Sequence, residues 1–159
     1  MEMLPLVLSE LIDIAVRDGM WLESNPKFKW DMNVWLCSTV DADGEPVAAA
    51  PCRACMAGAV MVRTLECDAT AMTVWEPEDI DDEDTQQALL AINDFRAGDF
   101  REAQAQLRYQ YPYELAVSEP QRAALEHCEK LVRVGYEKDG KAPWETYTEC
   151  ARILREVGL

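Results

Sequence analysis

The chain has 159 residues, of which thirty are acidic and fifteen basic, for a formal net charge of -15. Hydrophobic residues make up 49%, a globular composition that excludes wholesale disorder. The charge excludes generic binding to a nucleic-acid backbone or an anionic membrane, since both would repel the protein. A chain of this length predicts one domain over residues 1–159.

In chain order, the first expected element is an amphipathic helix from about Pro5 to Asp18. Leu4, Leu8, Leu11, Ile12, Ala15 and Val16 share one face, and Gly19 is the expected stop. Residues 20–36 read as irregular and aromatic, with Trp21, Phe28, Trp30 and Trp35 as core plugs. The β-formers around Asn33 to Val40 precede Asp41-Ala42-Asp43-Gly44, which is turn chemistry. Glu45-Pro46-Val47 is the expected return strand of one small hairpin within residues 33–49.

A second helix is expected from Pro51 to about Glu66, with Gly58 in its middle marking the close approach of another element. Met72 to Trp75 reads as a strand. A third helix is expected from Thr85 to Ala97, capped by Asp84 or Thr85 and ended by Gly98, and a fourth opens at Asp99. Ser118 and Gln121 form a capping box for a fifth helix running to about Val134. A last helix opens at Pro143 after the turn Lys138-Asp139-Gly140-Lys141. The expected fold is mainly α: a compact domain of five to six helices with one small β-hairpin.

The charge is unevenly placed. Residues 1–84 hold eighteen acids and five bases, whereas residues 85–159 hold twelve acids and ten bases. Between Thr64 and Phe95 there is no lysine or arginine, and ten acids lie there. Glu76, Glu78, Asp79, Asp81, Asp82, Glu83 and Asp84 fall within nine residues. One reading is a solvated acidic loop that caps the third helix. A sharper one is a partner-binding surface whose carboxylates imitate a nucleic-acid backbone, with Trp75, Met72 and Ile80 as apolar anchor. The EF-hand spacing needed for calcium is missing.

Cys52 and Cys55 form a C-x-x-C flanked by Cys37 and Cys67, four thiols that allow a zinc or redox reading. The spacing is not that of two paired zinc knuckles, and the expectation is that no metal or other cofactor is bound. His127, beside Cys128, is the only histidine and makes no local dyad. No nucleophile elbow, phosphate-binding loop, dinucleotide fingerprint or H-E-x-x-H occurs, so a non-catalytic protein is expected.

Cys55-Met56-Ala57-Gly58-Ala59-Val60, followed by Ile92-Asn93-Asp94, resembles a group of small uncharacterised proteins from bacteria and their phages. In that group a C-x-x-G-A-hydrophobic helix precedes a helix ending in Asn-Asp. The first helix and the Asp41-to-Pro46 turn fit the same order, so the resemblance covers roughly residues 8–97. The acidic run and everything after Gly98 depart from it. The resemblance implies a mostly helical fold and a phage-type origin, but no activity.

Together these readings suggest an acidic phage-type accessory protein, anti-CRISPR-like, that occupies a basic nucleic-acid-binding surface of a host protein. It would contact no nucleic acid directly and no membrane. The alternatives are a helical interaction or structural protein, a homodimer included, or a thiol-based site. Met1 to Val16 lacks a basic n-region, Glu2, Glu10 and Asp13 interrupt it, and no cleavage site follows, so a cytoplasmic location in a bacterial host is expected.

Overall fold

The computed structural model describes residues 3–45, 47, 50–69, 74–109, 116–137 and 139–159. Among these are six α-helices, a 3-10 turn at Pro77–Asp79 and four short strands. The mainly α character agrees with the sequence reading. The β component is larger than a hairpin.

Helix α1 spans Leu8–Glu23 and so runs past Gly19, the expected stop. Its glycine serves a close approach: a Cβ there would lie 2.3 Å from Cη2 of Trp144 in α6 (Trp144–Glu156). The aromatic segment that follows is half-buried against the core, as expected of Trp21, Phe28, Trp30 and Trp35. It is only partly irregular, because it contains β1 (Phe28–Trp30) and leads into β2 (Leu36–Cys37).

The expected hairpin pairs as read: the N–H of Asp41 donates to the carbonyl of Glu45 at 2.9 Å, and the N–H of Val47 to the carbonyl of Thr39 at 2.8 Å. Its turn forms: Asp41 Oδ1 accepts from the backbone N–H of Asp43 at 2.9 Å and of Glu45 at 3.1 Å. The strand that pairs with β2 comes later, at β3 (Cys52–Ala54). Expected return residue Pro46 lies outside the described residues. That later strand pairs on both sides: β3 runs parallel to β1 and antiparallel to β2. With β4 (Val74–Trp75) the sheet order is β1-β3-β2-β4. Met72 and Thr73, expected in that strand, lie outside the described residues.

The expected helix over 51–66 therefore loses its first residues to β3, and α2 spans only Met56–Arg63. Gly58 fits its predicted role, since a Cβ would meet the backbone oxygen of Trp35 at 1.7 Å. Helix α3 (Glu83–Arg96) starts two residues earlier than expected. It ends before Gly98, whose positive φ of 89° lets the N–H of Asp99 return to the carbonyl of Asp94. Helix α4 (Phe100–Leu107) follows without the expected capping bond from Asp99, whose carboxylate pairs with Arg133 instead. Helix α5 (Glu119–Gly135) has the expected reciprocal Ser118–Gln121 box.

Helix α1 packs on α2 and α6, α3 on α2 and α4, and α5 on α4 and α6. Leu11, Ile12, Met61, Ile92, Phe95, Phe100 and Tyr147 fill the centre. Phe95 lies with its ring 6.0 Å from Phe100 and 6.4 Å from Tyr147. No helix among the described residues is long and apolar enough to cross a membrane.

Candidate functional site

The acidic run is built onto a hydrogen-bonded frame. Pro77–Asp79 forms the 3-10 turn, closed by a reciprocal box in which the N–H of Glu76 donates to Asp79 Oδ2 at 2.8 Å. Pro77 and Ile80 are buried, and Gln86 Nε2 donates to the carbonyl of Ile80. Asp82, rather than Asp84 or Thr85, caps α3: it accepts from Thr85 N at 3.0 Å and from Thr85 Oγ1 at 2.5 Å. The reason is local, since Asp82 is extended and lies three residues before Thr85. Glu83 and Asp84 occupy the first turn, where carboxylates complement the exposed N–H groups. Tyr109, at the end of α4, donates its hydroxyl to Asp84. That contact raises the exposed phenol to about 12, because the anion would lose the hydrogen bond.

Glu76, Glu78, Asp79, Asp81, Glu83 and Asp84 are exposed, with Asp82 half-buried. None of the seven takes part in an ion pair among the described residues, although acids elsewhere pair repeatedly with arginine or lysine. The expected apolar anchor needs revision. Ile80 is 7% exposed and belongs to the core, and Met72 lies outside the described residues. Trp75 is half-buried, its Nε1 donating to the carbonyl of Asp68 at 3.0 Å. The exposed apolar groups beside the acids are Val74, 46% exposed on the outer strand β4, and Tyr109, 45% exposed.

The four cysteines do not form one site. Cys52 lies in β3 near Cys37 of the adjoining β2, whereas Cys55 precedes α2 and donates to the carbonyl of Trp35. Burial raises the thiols of Cys52, Cys55 and Cys67, the last to about 11 with Asp79 adding to the shift. A redox thiolate needs the opposite shift. Among the described residues no three potential ligands gather around a metal position.

Three features escape sequence reading. Asp18 is fully buried: Thr64 Oγ1 donates to it, Arg17 Nε lies 3.0 Å away and Arg63 Nη1 3.6 Å away. Asp94, at the α3–α4 contact, is pushed up to about 7, first by burial and then by Glu102 and Asp99. The third feature is a cavity of about 180 Å³ between the β1–β2 connection, the start of α2 and the end of α3. Asn33, Trp35, Cys55, Asn93 and Arg96 line it. The pairing of Cys55 with Asn93 was accessible in principle, since both belong to the motif that carries the family resemblance. Asn33 and Arg96 gave no signal.

Comparison of the chain with protein-family models, curated proteins and solved structures finds no match.

Proposed function

We propose that the protein acts by docking its acidic face, Glu76 to Asp84, onto a basic nucleic-acid-binding surface of a host protein. The observation that supports this reading is the ordered, cation-free array of carboxylates at the start of α3. A flexible acidic tail binds more weakly, because ordering it on binding costs conformational entropy. Here the capping bonds of Glu76, Asp79 and Asp82 and the Tyr109–Asp84 contact hold the backbone beforehand. Fixed charge spacing is what a groove shaped for phosphates selects. Val74 and Tyr109 supply the apolar contact that converts a steered encounter into a lasting complex.

The test captures partners from bacterial lysate with tagged wild-type protein and with the triple variant Glu78→Gln, Asp81→Asn, Glu83→Gln, at about 50 and 300 mM salt. These three side chains have no capping role, so the frame is kept. A basic nucleic-acid-binding protein that is held at low salt, and lost at high salt and by the variant, is the expected outcome. A partner held equally under all these conditions, or self-association alone, overturns the proposal in favour of an apolar interaction protein or homodimer.

A further inference from the structure

The cavity beside Arg96 is electrostatically unlike the rest of the protein. Arg96 Nη1 donates to the carbonyl of Gly140 at 3.1 Å and to the hydroxyl of Tyr136 at 3.2 Å, and Nη2 donates to Asn93 Oδ1 at 3.2 Å. All three partners are uncharged. Arg96 Nε is buried and has no partner among the described residues. In a chain with twice as many acids as bases, this guanidinium has no carboxylate within ion-pair distance among the described residues, and Asp94 acts on it only from further away. No acidic side chain lines the cavity.

Its remaining polar surface is rich in donors. Asn93 spends its oxygen on Arg96, which leaves its amide N–H groups, and Asn33 adds a second amide at the exposed side. Cys55 cannot serve as an acceptor of consequence, because its carbonyl belongs to α2 and its thiol donates to Trp35. Arg96 is half-buried with its Nε–H unspent, and a cation with unspent donors is stabilised by an anion that accepts from it.

We propose that this cavity is a binding site for a small carboxylate, held by Arg96 and Asn93 with its short apolar part against Met32 and Trp35. Volume sets the size of the part that is enclosed: a cavity of about 150 Å³ accommodates a benzene-sized molecule, so this open-sided one encloses about six to nine non-hydrogen atoms. Charge sets the class: one guanidinium matches a monoanion, whereas a phosphate dianion would bring an uncompensated charge into an already acidic protein. The site is separate from the acidic face and stands or falls independently of it.

The experiment titrates ¹⁵N-labelled protein with sodium butyrate at constant ionic strength, with sodium chloride and inorganic phosphate as parallel titrations. The signals followed are Arg96 Nε–H and the side-chain amides of Asn33 and Asn93. Saturable shifts of these signals with butyrate are expected. Asn93→Asp keeps the acceptor for Arg96 Nη2 but adds a negative charge, and should weaken binding by roughly tenfold or more. Asn33→Asp, at an exposed position, tests the same repulsion without touching the Arg96 contacts and should weaken binding to a smaller degree. Shifts that chloride reproduces, equal butyrate affinity in both variants and wild type, or tighter binding of phosphate than of butyrate each overturn the proposal.

Discussion

At the contact of α1 with α2, Asp18 is wholly buried and surrounded by Arg17, Arg63 and Thr64. Across residues 76–84, seven carboxylates stand without one cation among the described residues, and six of them are exposed. The difference follows from solvation. A carboxylate removed from water must find compensation inside the protein, whereas an exposed one is compensated by water. Charge in the first region therefore bears on stability, and charge in the second is free to bear on recognition.

The largest break in that contrast is Asp18→Ala. It leaves Thr64 and two arginines without their shared acceptor where α1 meets α2. Removing one member of a buried charge cluster costs about 3 kcal/mol, at the lower end of the usual range because the arginines reach solvent. Urea unfolding should show that loss with an unchanged slope. A loss below about 0.5 kcal/mol would mean that the cluster is as dispensable as a surface pair.

Asp94 sharpens the comparison, because it is partly buried yet lacks an ion-pair partner among the described residues. Its neighbours Glu102 and Asp99 are like charges, and the hydrogen bond from Gln106 and the charge of Arg96 offset them only in part. Its folded pKa of about 7 lies above the ordinary carboxylate value of 3.8. The folded state thus binds the extra proton between those values, and stability falls as pH rises through that window. Asp94→Asn should remove this fall and stabilise the protein at pH 8 by about 1–2 kcal/mol, after allowance for the side chain's partial solvent contact. At pH 4 the variant and the wild type should unfold at nearly the same urea concentration. Identical slopes of stability against pH in the two proteins would remove Asp94 from this role.

The helices were legible where periodicity and capping chemistry act locally. The Ser118–Gln121 box and the stop of α3 before Gly98 needed no tertiary information. Gly19 was misread because a glycine that ends a helix and one that admits a neighbouring ring look alike in sequence. Trp144 comes from the far end of the chain, and only its packing decides the matter. The same limit hid β3: Cys52–Ala54 is too short to show alternation, and its two partners lie on either side of it in space. For the site, charge density made residues 76–84 conspicuous. Sequence could not tell which of those acids are occupied by the backbone, or that Ile80 turns inward.

A smaller effect is expected of Asp82→Ala, which separates the structural from the exposed acids within the run itself. Asp82 accepts both from the N–H and from the hydroxyl of Thr85 at the start of α3. Loss of such a cap costs about 1 kcal/mol. Hydrogen exchange at Thr85 and Gln86 should quicken correspondingly, while the amides of α5 keep their protection relative to global unfolding. Unaltered exchange at Thr85 would show that the cap contributes nothing and that Asp82 belongs with the solvated acids.

The smallest effect on stability is expected of the triple variant Glu78→Gln, Asp81→Asn, Glu83→Gln, and there the two regions diverge most clearly. All three side chains are exposed and lack ion-pair partners among the described residues, and like charges repel one another at this spacing. Neutralising them should leave the urea midpoint within about 0.5 kcal/mol of wild type or raise it slightly. Glu83 sets the limit on any gain, because it sits in the first turn of α3 where a negative charge is favourable. Association with a basic partner should nevertheless slow by about tenfold at low salt and lose most of its salt dependence. A protein that loses stability with these substitutions would place the exposed acids in the same class as Asp18. The cation-free array would then be part of the fold, and recognition would have to be sought elsewhere on the surface.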